Sequence, residues 1–368
     1  MSDLSEKPVT ILCLCQEDNH RKLLPAYAAR FRAQGMQFVS VSWSPPFDSS
    51  LQEILSASPV KPDYIFHFES DFPLLPIGLE KSDVPTVCFQ VDSYAFAKRR
   101  IKWSSLFDYV AVFHPGHEVE YARDGHKGTF LLPHAVQKEL FEGSEIGREF
   151  EIGWVGQIQG PLYKNRAKWI PQLAQMFQMN DIARSYSLGE VADVYRRSRI
   201  VVNFGRDDYP QDANMRVFEV LASGALLITA QPTELAALGF AEGVHFAAYQ
   251  SESELVPLIR RFLADEPLRL RISRAARSKV LREHTYDCRV KQIMQKLNHG
   301  PERLAPARNW EEPAIRLSYL DYFAAHGILD AAKSQFKQLD SGAIRERLEG
   351  MAVLAKARLA KALVRRNK

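Results

Sequence analysis

The chain has 368 residues, 46% of them hydrophobic and 25% charged, and carries a net charge of +4. That length is about twice a typical domain, the composition is that of a globular protein, and the charge is too small to imply a nucleic-acid partner. No stretch reaches the ~20 apolar residues of a bilayer span, and the short run Val9 to Cys15 is no secretory leader, so the expected location is the cytoplasm.

The first half alternates short apolar runs with helical patterns. Val9 to Cys15 (VTILCLC) is followed by a helical pattern over Leu23 to Gln34 and then by MQFVSVSW. DYIFHF (Asp63 to Phe68), VPTVCFQ (Val84 to Gln90), FDYVAVF (Phe107 to Phe113) and GTFLLP (Gly128 to Pro133) continue the series. These runs are nearly continuous in hydrophobicity, as parallel strands covered on both faces are. Cys13, Cys15, Cys88 and Cys288 show no metal spacing, and they read as reduced thiols.

From Pro133 to Phe150 the chain turns polar, with Gly143 and Gly147, and reads as a linker. The pattern then restarts. FEIGWVG (Phe150 to Gly156), RIVVNF (Arg199 to Phe204), ALLIT (Ala225 to Thr229) and VHFAAY (Val244 to Tyr249) predict four more strands. Helical segments lie between them, one of them helical despite Pro171, a residue that kinks helices, and a long basic run from Pro267 to Leu297 closes the region. The predicted fold is α/β with two Rossmann-like domains, residues 1–140 and 141–300.

Beyond Gly300 the prolines at 301, 306 and 313 mark a connector to a helical extension over 301–368. A helix, a turn at Gly327 and a second helix form one hairpin, too little to establish a repeat array. In the last segment Ile344, Leu348, Met351, Ala355, Leu359 and Ala362 recur at helical intervals, with six basic residues and no acids from Lys356 to Lys368. Such a helix either docks on its own protein or lies on an anionic membrane.

One stretch carries more chemistry than packing requires: NMRVFEVLASGALLIT, Asn214 to Thr229. It predicts a helix, a glycine stop at Gly224 and a buried strand. Residues three and four apart share a helix face, so Arg216, Glu219 and Ser223 align between apolar residues. A carboxylate can accept from two adjacent hydroxyls, and an arginine at a helix start suits a diphosphate.

These residues, with the EGVHFAAY segment that follows, closely resemble the donor-binding half of group 1 glycosyltransferases of the GT-B fold, in particular the spore-maturation-type branch. EIGWVG, RSRIVVNF and LLPHAVQKELF agree with that family in order, over roughly residues 60 to 295. The resemblance implies a GT-B architecture and transfer of a sugar from a nucleotide-sugar, UDP-, GDP- or dTDP-linked, to an acceptor hydroxyl. The donor would sit on the second domain and the acceptor would enter from the first. Glu219 would hold the ribose and Arg216 the diphosphate, with Asn214 capping the helix and Met215 beside it.

The loop after the first strand of the second domain supplies Gly156, which permits close backbone approach, Tyr163, and Lys164 or Arg166 to neutralise the leaving diphosphate. Asn203 borders the same place. In the first domain Asp92, just past a predicted strand, is the candidate general base or orienting group for the acceptor; its alternative reading is a helix cap. Glu69 and Asp71 are placed to shape the acceptor cleft, and His20 and His134 to pack.

One departure stands out. Many retaining members carry a second glutamate eight residues before the one matched by Glu219, and here that position is Gln211. The balance leans to retention without settling it. No cofactor and no metal are expected. The acceptor is open among glycan, protein and lipid-linked molecule, and the basic tail allows a peripheral membrane contact. Two rival readings remain: a non-catalytic scaffold binding a nucleotide-sugar or protein, and an epimerase or hydrolase of the nucleotide-sugar.

Overall fold

The computed structural model describes residues 7–15, 23–41, 49–68, 74–123, 128–142, 146–230, 232–298 and 312–366, without side chains beyond 360. Glu69, Asp71 and His20 lie outside the described residues. The chain divides into two compact units, Met1–Leu131 with Gln295–Lys368, and Leu132–Met294.

The first unit holds a six-stranded parallel sheet of β1 (Thr10–Cys13), β2 (Gln37–Ser40), β3 (Tyr64–Phe68), β4 (Thr86–Gln90), β5 (Tyr109–Val112) and β6 (Thr129–Leu131), in the order β2-β1-β3-β4-β5-β6. Every one coincides with an apolar run read from the sequence. Strands β1, β4 and β5 are buried along their whole length, which is why they show no polar alternation. Helices α1 (Leu23–Ala33), α2 (Leu51–Ala57), α3 (Ala97–Ser104) and α4 (His117–Arg123) make the crossovers. α2 starts in a full capping box, with Ser50 and Glu53 each bonding the other's backbone N–H.

The second unit holds a four-stranded parallel sheet of β7 (Phe150–Gly153), β8 (Ser198–Asn203), β9 (Leu226–Ala230) and β10 (Ala247–Tyr249), in the order β10-β9-β8-β7. Its helices are α5 (Lys164–Met176), α6 (Leu188–Arg196), α7 (Met215–Ser223), α8 (Thr233–Ala237), α9 (Glu252–Ala264), α10 (Glu266–Glu283) and most of α11 (Tyr286–Asn298), whose residues from Gln295 on group with the first unit. Strand alternation divides the core between the two sheet faces. Val201 and Leu227 pack with α6, α7 and α10 residues on one face, and Ile200, Val202, Leu226 and Ile228 with α5 and α9 residues on the other.

Three departures from the sequence reading have physical causes. The predicted linker is in part core: Val136 and Phe141 are buried in the second unit, and Val136 pairs with Thr285 through N–H bonds to His284 O and from Tyr286 N. The same pairing takes Thr285 out of helical geometry, so the basic run from 267 to 297 is two helices, α10 and α11, rather than one. The helical extension, read as a separate segment, groups with the first unit. Its helices α12 (Glu312–Ala325), α13 (Leu329–Lys337) and α14 (Ile344–Arg366) bury Tyr319, Tyr322, Phe323 and Leu354 in the same core as Leu12, Ile65, Trp103 and Val110. α5 continues past Pro171.

α12 is fixed by more than apolar contact. The Tyr319 hydroxyl accepts from the N–H groups of Gly78 (3.0 Å) and Leu79 (3.1 Å) and lies within bonding distance of Pro76 O and Glu80 Oε2. Arg99 Nε donates to both Asp321 oxygens at 3.1 Å.

Candidate functional site

Two arginines of the second unit, Arg166 and Arg216, meet where β7 and β8 end. Val217, Phe218, Val220 and Leu221 of α7 are each at most 1% exposed, and burying each is worth roughly 1.5–3 kcal/mol. That apolar face fixes the helix on the sheet and leaves Arg216 and Glu219, three apart, half-buried on another face. Ser223 does not join them: its hydroxyl donates to Val220 O (2.7 Å) and accepts from Ala225 N (3.1 Å), closing the helix end. Gly224 takes a φ of 76°, and its carbonyl accepts from Arg148 at 2.9 Å.

Arg216 is held from three sides. Nε donates to Val155 O at 3.2 Å, Nη1 donates to Asn203 Oδ1 at 3.2 Å, and the guanidinium lies 4.5 Å from the Trp154 ring centroid. Asn203 is itself oriented, its amide donating to Thr229 Oγ1 at 3.2 Å. Gly156 completes the cradle. Its φ of 143° is open to glycine alone, and a Cβ there would overlap the Arg216 guanidinium. Arg216, Asn203 and Gly156, separate in sequence, therefore form one cluster, with Glu219 one turn along α7.

Tyr195, on α6, belongs to this cluster although nothing in the sequence marked it. Burial pushes its phenol well above the ordinary range; Arg216 pulls it down and Glu219 pushes it up, so its hydroxyl is within reach of both charges. Trp154 was visible in the EIGWVG run, but not as the plate beneath Arg216.

The loop after β7 presents Lys164 and Arg166 differently. Arg166 is 7% exposed. Its Nε donates to Phe204 O (2.9 Å), its Nη1 to Gln157 O (3.2 Å), and its guanidinium sits 4.1 Å from the Tyr163 ring centroid. It ties the loop after β7 to the loop after β8. Burial, with Arg216 nearby, brings its pKa down to about 10, so it stays cationic at neutral pH. Lys164 is exposed. The start of α5 is already capped: Asp207 accepts from Lys164 N (2.6 Å) and Asn165 N (3.3 Å).

At the start of α7 Asn214 stands at the cap position with extended backbone, but its side chain makes no capping bond and lies 3.5 Å from Asp212 O instead. The preceding loop is pinned by Glu234, which accepts from Tyr209 Oη (2.6 Å) and Ala213 N (2.7 Å). Met215 opens α7 half-buried.

In the first unit Asp92 is exposed in the turn after β4. It is not the cap of α3, whose cap position is Phe96 in a left-handed conformation (φ 55°). Tyr94 of the same turn packs edge-on against His114, 4.8 Å between ring centroids. His134 is buried, its ring 6.4 Å from that of Phe218. No helix among the described residues is long and apolar enough to cross a membrane.

Residues 152–295 match the family model described as glycosyl transferase-like. No curated protein matches the sequence. Among solved structures the chain is similar to HepE of Anabaena in complex with UDP and glucose, with a TM-score of 0.58 and 13% identity over 79% of this chain and 100% of that one. It is similar also to sucrose-phosphate synthase of Thermosynechococcus elongatus, with a TM-score of 0.56 and 12% identity over 80% of this chain and 99% of that one. A glycosyltransferase of Rickettsia africae aligns with a TM-score of 0.51 and 11% identity over 82% and 100% of the two chains.

Proposed function

We propose that this chain, a glycosyltransferase of the GT-B fold whose glycosyl transferase-like region is residues 152–295, holds its nucleotide-sugar donor on the face formed by Arg216, Glu219, Asn203 and Gly156. The observation that carries the assignment is the anchoring of Arg216. A guanidinium fixed through Nε and Nη1 over an aromatic ring is pre-organised for a diphosphate, and it keeps further N–H donors for the ligand.

The two helix starts separate by their caps. Asp207 fills the start of α5 with a carboxylate, which repels a phosphate. The Asn214 side chain does not cap the start of α7, and the N–H groups and dipole there favour an anion beside Arg216. Asn214 and Met215 then line the diphosphate. Lys164, exposed, supplies the second cation, while Arg166 positions the loops, and Tyr163 rides on its guanidinium. Glu219 accepts from the ribose hydroxyls. The UDP and glucose bound to HepE make UDP-glucose the first donor to test.

The reaction forms a bond from the acceptor oxygen to the anomeric carbon and breaks the bond from that carbon to the phosphate. The nucleoside diphosphate leaves with the negative charge, and the acceptor gives up its proton. Arg216 and Lys164 stabilise the departing charge. Asp92 takes the acceptor proton if configuration is inverted and orients the hydroxyl if it is retained. Glu219 leans the proposal slightly to retention, and Gln211 in place of the second glutamate weakens that lean. A glycan, protein or lipid-linked acceptor fits this scheme, and a peripheral membrane contact through α14 is part of it.

Nucleotide release from UDP-, GDP- and dTDP-sugars, with and without acceptors, tests the reading, and NMR of the product reports its anomeric configuration. Acceptor-dependent release is expected. Release without acceptor would replace transfer by hydrolysis or epimerisation, and binding without release would make the chain a scaffold. Glu219→Ala should weaken donor binding by ~1.5–3 kcal/mol, the loss of charged hydrogen bonds; unchanged affinity in the folded variant would remove Glu219 from the site.

A further inference from the structure

α14 shows two apolar faces, and the fold uses one. Toward α12 and α13 it buries Leu354 and Gly350, with Val353 and Ala357 packed partly against the same core. A side chain at Gly350 would crowd Phe336 and Leu320, so this face is closely seated. Lys102 of α3 and Glu349 add an ion pair on the same side. The opposite face carries Ile344, Leu348, Met351 and Leu359, exposed by 68, 59, 48 and 63%. With Ala355 between them they recur every three or four residues and form one continuous stripe.

The charges beside that stripe are mainly basic. Arg345, Lys356 and Arg358 are exposed and fall on its two flanks at helical spacing; Glu349, on the same flank as Lys356, is paired with Lys102, and Glu346 lies toward the buried side. From Lys356 to the end of the chain there are six basic residues and no acidic one. A second copy of the helix laid on the stripe would bring cations against cations. A surface with apolar depth and negative charge matches both features at once.

We infer that the outer face of α14 docks the protein on an anionic lipid surface, with Ile344, Leu348, Met351 and Leu359 entering the headgroup boundary and Arg345, Lys356 and Arg358 meeting lipid phosphates. The helix lies on the bilayer and does not cross it. This rests on the peripheral membrane contact proposed above and not on sugar transfer, and it assigns that contact its residues and lipid class.

The test is flotation of the full chain with phosphatidylcholine–phosphatidylglycerol vesicles and with pure phosphatidylcholine vesicles. Binding is expected to the first alone and should weaken as salt rises. Leu348→Asp with Met351→Asp should lower partitioning at least tenfold, and Lys356→Gln with Arg358→Gln roughly fivefold per residue. All four side chains are on the exposed side, so the variants should keep the wild-type melting temperature and nucleotide release with a water-soluble acceptor. The inference is overturned by absence of binding to both vesicles or by wild-type binding of the Leu348/Met351 variant. It is equally overturned by light scattering that shows a dimer dissolved by that variant. Loss of sugar transfer alone, with vesicle binding intact, would strike the proposed function and leave this one standing.

Discussion

Arg216 and Gly156 have to be considered together. The arginine needs room beside the end of β7, and only a residue without Cβ, in a backbone conformation with φ of 143°, leaves it. Gly156→Ala should therefore act twice, through backbone strain of about 1–3 kcal/mol and through displacement of the guanidinium. The expected result is a melting temperature lowered by several degrees and donor affinity lowered at least tenfold, by calorimetry of the same sample. A variant that loses stability but binds donor normally would show that Arg216 does not need this seat. Both residues were legible in the sequence, the arginine from its motif and the glycine from its place after a strand. Tyr195 and Asp207 were not, because their relevance comes from contacts across 21 to 43 positions of chain that no local pattern encodes.

Among the elements, the strands were the most legible. The ten strands of the described residues coincide with apolar runs to within a residue, and those buried along their whole length, β1, β4 and β5, show why: a parallel strand buried on both faces must be apolar throughout. Helix limits depended on distant partners. Thr285 breaks the run from 267 to 297 by pairing with Val136 and by accepting from Cys288 N at the start of α11, and Val136 stood in a stretch whose glycines and charges resembled a linker. α12 gives the same lesson: its apolar residues predicted a helix but not the wall it covers. Its attachment hinges on the Tyr319 hydroxyl, which serves the buried N–H of Leu79 and that of Gly78. Tyr319→Phe keeps the ring and leaves those groups unpaired, so it should destabilise the first unit by about 1–3 kcal/mol in denaturant melts. No change would mean that water replaces the hydroxyl there.

Across the whole molecule, acid should find a weak point in each unit. His67 is fully enclosed among Trp103, Phe107 and Tyr322, and burial pushes its imidazole down to about 4. In the second unit His284 receives a hydrogen bond from Arg289 at 2.6 Å, and burial, then that cation, bring it down to about 3. Between the ordinary histidine pKa and these values the unfolded chain binds protons that the folded chain refuses, so stability rises with pH across that window. For His67 the loss on acidifying from about pH 6.5 to about 4 is on the order of 3 kcal/mol. Melting curves across this range should show a decline in wild type that His67→Phe reduces; an equal decline in both would place the acid sensitivity elsewhere.

The return of residues 295–368 to the first unit also orders events in time. The second unit is one unbroken stretch, so a ribosome delivers all of it before α12 has been made. The six-stranded sheet, translated first, waits with the Trp103 and His67 side of its core uncovered until the last helices emerge. During synthesis the later-coded unit can thus be the first to close, and the earliest residues of the chain depend longest on protection by other hands.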